Sequence, residues 1–138
     1  MCAEMIGRMR AAQVDLRLIH VPTRFGVPCF SAWMWSEEFP VITLGSGAHV
    51  APEVALSRAL TEAAQSRLTA IAGSRDDLVP IYDHVKRGGG RPPPHSGAPT
   101  PWSAMADAYP GAVADISEDL RRIAGAPDFV LASKRQDN

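Results

Sequence analysis

One stretch constrains the fold of this 138-residue chain more than any other: the run from about Pro52 to Ile71 reads as a single long helix. Pro52 stands where a first helical turn tolerates proline, Glu53 sets an acid near the positive end of the helix dipole, and Gly73 supplies a C-terminal stop. With Ala51 to Ala72 placed at about 100° per residue, two faces separate. Leu56, Leu60, Ala63, Ala64 and Ile71 form the apolar one, which should face a core. Arg58, Glu62, Gln65 and Thr69 lie together on the other. Arg67 falls among the apolar residues and needs a partner or an escape route to solvent.

The rest of the chain reads more weakly. Residues 3 to 12 predict a short helix rich in Ala, Met and Arg. Val14 to Val21 alternates apolar and polar residues as a half-buried strand does, and Pro28 to Trp35 reads as a second strand with its proline at the start. Pro22 to Gly26 is a turn between them, so a hairpin is expected. Gly45 to His49 reads as a small Gly-rich loop leading into the long helix. Gly88 to Pro101 holds nine Gly or Pro in fourteen residues and predicts an exposed loop or linker. Its Arg-Pro-Pro-Pro run is a weak signal for a proline-recognition ligand. Ile116 to Ile123 predicts a short helix with Asp115 or Ser117 as cap, and Phe129 to Ala132 a further strand.

Composition excludes several classes. With 46% hydrophobic residues the chain has the makings of a globular core. Fourteen basic against fifteen acidic residues give a net charge of −1, which removes the electrostatic drive of a non-specific nucleic-acid binder. Cys2 and Cys29 form neither a disulfide framework nor a metal cluster, as suits reduced thiols in a cytoplasmic protein. No apolar run approaches the roughly 20 residues needed to span a bilayer, and Glu4, Arg8 and Arg10 interrupt any signal-peptide core.

The polar stripe of the long helix has two readings. One is a solvated face with an Arg58–Glu62 i,i+4 pair worth a few tenths of a kcal/mol. The other is an acid and an amide one turn apart, suited to Mg²⁺ and a nucleotide. A carboxylate is the hard oxygen ligand that Mg²⁺ shares with phosphates. Gln65 would then contact a phosphate or a metal-bound water, and Arg58 would neutralise phosphate charge. Gly45-Ser46-Gly47-Ala48-His49, just before a helix N-terminus, is either an anion-binding loop or an ordinary turn; it lacks the Gly-Lys-Ser/Thr ending of a Walker A motif.

The stretch GSGAHVAPEVALSRALTEAAQSRLTAIAGSRDD, residues 45 to 77, resembles the central signature of the YcaO family. Its Ala-Leu-x-Arg-Ala-Leu-Thr-Glu-Ala-Ala-Gln-Ser-Arg core holds that family's Glu-x-x-Gln, and Thr23 with Gly26-Val27-Pro28 also fits. The likeness runs from about Val14 to Tyr82. It implies an α+β fold, an antiparallel or mixed sheet packed with helices, within a larger YcaO-type domain. It also implies ATP- and Mg²⁺-dependent activation of peptide backbone amides, leading to an azoline or a thioamide. Glu62 would be the Mg²⁺-linked carboxylate and Gln65 its nucleotide-site companion, with Arg58, Ser46 and His49 as neighbours of the phosphates or nucleotide. His49 is a structural loop histidine before it is a catalytic base, and Arg75, Asp76 and Asp77 fix the helix end rather than do chemistry. The implied partners are a peptide or protein substrate, a TfuA-like protein and a second copy in a homodimer. The Ala-Gly-Ser-Arg-Asp-Asp ending tilts the product toward a thioamide.

The family's earlier helix, bearing serine and paired glutamates, has no counterpart in residues 1 to 12, and a later Arg/Glu segment is missing. The expectation is therefore a truncated piece carrying one wall of the site: a partial core over 1–87, a loop over 88–101 and a C-terminal part over 102–138. The competing expectation is a non-catalytic module that binds a peptide or partner.

Overall fold

The computed structural model describes residues 1–24, 26–72, 83, 87, 90–93 and 98–109. Helix α1 (Cys2–Ala11) leads into strand β1 (Asp15–His20), followed by β2 (Cys29–Trp35), β3 (Thr43–Ala48), the long helix α2 (Pro52–Ala72) and a short helix α3 (Trp102–Ala108). The strands form one antiparallel sheet in the order β1-β2-β3. The fold is α+β, with helices on one face of the sheet.

The expected hairpin is present, with Leu16 opposite Met34 and His20 opposite Phe30. Its turn needs a left-handed residue, and Gly26 supplies it at φ +64°. The Thr23 hydroxyl donates to Val27 O at 2.7 Å and pins the same turn. The first predicted strand is shorter by one residue at each end, and the second lacks only Pro28.

Gly45 to Ala48 is not a loop but most of β3, and the reason is steric. The strand alternates buried and exposed residues, with Thr43, Gly45 and Gly47 facing α2. A Cβ on Gly45 would fall within 3.0 Å of the backbone of Ala59 and Ala63, and one on Gly47 within 3.0 Å of Ala55 O and Ala59 N. The glycines are there so that helix and strand backbones can touch. Ala55, Ala59 and Ala63 answer them from the helix side, each fully buried.

The core lies between α2 and the sheet: Phe30, Ala32 and Met34 from β2 against Ala55, Leu56, Ala59, Leu60 and Ala63. Met5, Ile6 and Met9 of α1 and Met105 of α3 pack on its margins. Ile71 does not join it; it is 53% exposed, and Leu68 is 66% exposed. A 21-residue helix is about 31 Å long, whereas strands of six or seven residues reach about 20 Å, so the sheet is too short to cover every turn, and near the helix end Ala70 is buried while Leu68 and Ile71 are not.

Arg67 finds the partner its position demands. Its Nη2 donates to Ser36 Oγ at 2.5 Å, and its guanidinium lies 5.1 Å from the centre of the Phe39 ring. Burial lowers its pKa, against an opposing pull from Glu38, and Nη1 is buried with no hydrogen-bond partner. Ser36→Ala should therefore destabilise by about 1–3 kcal/mol by stranding more of a buried cation, whereas Arg67→Met, which keeps the stem, should cost less. Urea midpoints of the two variants check that order.

Among the described residues no helix is long and apolar enough to cross a membrane. Residues 90–93 and 98–101 lie outside helix and strand, as expected for the Gly/Pro-rich segment, but Pro92 is buried and Gly90 half-buried, so the segment is not wholly exposed as its composition suggested. Gly73, Arg75, Asp76 and Asp77, the expected helix at 116–123 with its candidate caps, and the expected strand at 129–132 lie outside the described residues.

Candidate functional site

The chemistry-bearing residues converge where α2 crosses the edge of β3 that has no strand partner among the described residues. An edge strand leaves alternate N–H and C=O groups without a strand partner. Two of these are met by the polar stripe of α2. Glu62 Oε2 accepts from Ser46 N–H at 2.7 Å and from Ser46 Oγ at 3.2 Å. One turn earlier, Arg58 Nη1 donates to Ala48 O at 3.2 Å.

The Arg58–Glu62 ion pair suggested by the i,i+4 spacing does not form. Each charge is drawn instead to the strand edge, where a charge-assisted hydrogen bond to a fixed backbone group outweighs an exposed pair. Both bonds to Glu62 use Oε2, so Oε1 remains uncommitted among the described residues. Gln65 is exposed on the same face, one turn further along.

His49 sits at the entry to α2, half-buried. Its Nδ1 accepts from Ala51 N–H at 3.0 Å, which assigns the ring proton to Nε2. The bond helps to seat the first turn, where Ala51 O receives Val54 and Ala55 N–H, each at 3.1 Å. The described residues contain no group of three or more His, Cys, Asp or Glu able to hold a metal ion together. Cys2 and Cys29 are free thiols.

Ser46, Glu62, Arg58 and Gln65 are thus brought to one exposed surface, with His49 at its border. The sequence reading missed how that surface is positioned. Gly45 and Gly47 set the distance between strand and helix, and their alternation, two apart, was the available signal. Arg17 and Trp35, on the opposite face of the sheet, gave no sequence signal of their own, whereas Arg91 opens the Arg-Pro-Pro-Pro run.

The family model described as YcaO cyclodehydratase, ATP- and Mg²⁺-binding, matches residues 1–126. An uncharacterised protein of Mycobacterium tuberculosis is 44% identical over 82 residues, covering 59% of this chain and 19% of that protein. An uncharacterised protein in the tfuA 3′ region of Rhizobium leguminosarum bv. trifolii is 42% identical over 96 residues, covering 60% of this chain and 22% of that one. The chain spans about a fifth of the length of these curated relatives. Among solved structures, the heterocyclase TruD superposes with a TM-score of 0.54 at 23% identity, over 88% of this chain and 17% of that one, and so shares the fold. With the family pattern running through nine-tenths of its length, this chain belongs to the YcaO family.

Proposed function

We propose that the crossing of β3 and α2 is one wall of a Mg·ATP site serving the activation of peptide backbone amides. The observation that carries this reading is the half-committed carboxylate of Glu62: Ser46 holds Oε2 twice and leaves Oε1 on an exposed face. Mg²⁺ takes one or two protein carboxylates and completes its shell with phosphate oxygens and water, so a single fixed carboxylate fits part of such a site. Bound Mg·ATP supplies the phosphoryl group and charge neutralisation that turn an amide oxygen into a leaving group.

The chain's own residues do the positioning. Ser46 fixes the Glu62 rotamer before any ligand arrives, so little ordering remains to be done on binding. Gln65 offers an amide to a phosphate oxygen or a metal-bound water. Arg58 spends one donor on Ala48 O and keeps its others for phosphate. His49 borders the surface with Nε2 as its remaining donor. A peptide or protein is the substrate class, and the Rhizobium relative's tfuA neighbourhood supports a TfuA-like partner and a thioamide product over an azoline.

Mg·ATP binding to the chain should be Mg²⁺-dependent and lost in Glu62→Gln. Isothermal titration of the wild type and variant tests this. Nucleotide binding that is indifferent to Glu62→Gln, or to removal of Mg²⁺, would sink the proposal. That Glu62 is the one carboxylate of this surface among the described residues also favours a second reading, a peptide-binding module without turnover, for which leader-peptide capture would be unchanged in Glu62→Ala.

A further inference from the structure

The sheet face turned away from the helices carries a strap of the chain's own sequence. Gly90 N–H donates to Pro40 O at 3.2 Å, the Arg91 guanidinium lies 5.3 Å from the centre of the Trp35 ring, and Pro92 is buried. Arg17 donates to the carbonyls of Pro93 and of Pro92, the latter at 3.5 Å, and is itself held by Asp15 at 3.4 Å.

Proline fixes its own φ and biases the residue before it toward extended backbone, so Arg91 and Pro92 favour a polyproline II path. Such a path has no internal hydrogen bonds and presents its carbonyls outward. Here a guanidinium takes two of those carbonyls while the basic side chain stacks on an indole. Aromatic-lined grooves recognise proline-rich peptides with the same chemistry. One donor stays unused: Trp35 is 8% exposed, and its indole Nε1 is buried with no hydrogen-bond partner. A cleft of about 630 Å³, lined by Trp35 and Arg91, is also walled by Asp15, Glu37 and Glu38, with Arg10 at its α1 side.

We propose that Asp15, Arg17 and Trp35 form a recognition groove for an extended Arg-Pro-Pro peptide. Residues 90–93 are its resident ligand in cis. A peptide of the same chemistry supplied in trans displaces them. The groove lies on the sheet face opposite α2, so its test does not depend on the nucleotide reading.

The probe is a blocked peptide with the sequence of residues 90–93, Gly-Arg-Pro-Pro, titrated into the full chain and followed by tryptophan fluorescence and the indole N–H resonances. The double variant Arg91→Ala, Pro92→Gly removes the Arg91–Trp35 stacking and the buried Pro92 ring and frees the extended backbone, which weakens the tethered competitor. It should therefore bind the peptide about tenfold more tightly than the wild type, whose strap acts at about millimolar effective concentration. Adding Arg17→Met should reverse that gain. Equal affinity of the two chains, no loss with Arg17→Met, or equal binding of a Gly-Arg-Ala-Ala control would each overturn the proposal. Should a variant fail to fold, millimolar isotope-labelled peptide must still show nuclear Overhauser contacts to the Trp35 indole of the wild type, assigned with Trp35→Phe. Absence of those contacts overturns it as well.

Discussion

Replacing Gly45 with alanine is expected to lower the unfolding free energy by about 3 kcal/mol or more, at the upper end of what overpacking costs. The added methyl meets backbone rather than side chain, at Ala59 and Ala63 of α2, so no rotamer change relieves it. The helix must lift from β3, and the bonds from Ser46 to Glu62 lengthen with it. Gly47→Ala meets Ala55 and Ala59 and should behave alike. Gly7→Ala is the control, because nothing lies within 4 Å of its Cβ position and the residue is inside α1. That change should stabilise by about 0.5–1 kcal/mol. Urea unfolding of the three variants checks the contrast, and a benign Gly45→Ala would disprove the close approach of strand and helix.

Leu60→Ala is expected to cost about 2–5 kcal/mol, as truncation of a fully buried leucine leaves a cavity that the surroundings only partly close. Leu60 belongs to the core cluster that joins α2 to Phe30, Ala32 and Met34, and Glu62 lies two residues further along the same helix. Leu68→Ala, at an exposed position of the same helix, should change stability by no more than about 0.5 kcal/mol. Comparison of denaturant midpoints at unchanged slope separates the two. A Leu60→Ala midpoint as high as that of Leu68→Ala would refute the assignment of Leu60 to the core.

Much of this arrangement was legible in the residues. The capping pattern and apolar stripe announced α2, and the alternation at residues 14 to 21 announced β1. The Glu-x-x-Gln pattern pointed to the family. Arg67 was identifiable as a cation in need of a partner, although nothing nearby in sequence named Ser36. Two readings went astray for related reasons. Glycine composition speaks for turns, so Gly45 and Gly47 concealed a strand whose evidence is the backbone packed against it. The 3.6-residue period placed Ile71 on the apolar face, but period says nothing of where the opposing sheet ends.

The sequence by itself determined the helix, its two faces, the hairpin and the family signature, because those depend on dihedral preference and on patterns within a few residues. Only the tertiary structure decided what each polar group holds. Glu62 bonds to Ser46, 16 residues away, and leaves Arg58 to Ala48, because β3 lies within reach and its edge has no strand partner among the described residues. Arg17 reaches Pro92 and Pro93, 75 and 76 residues away, across the other face of the same sheet. A buried or edge-facing polar group must be satisfied by whatever the fold brings near it, and that requirement has no period in the chain.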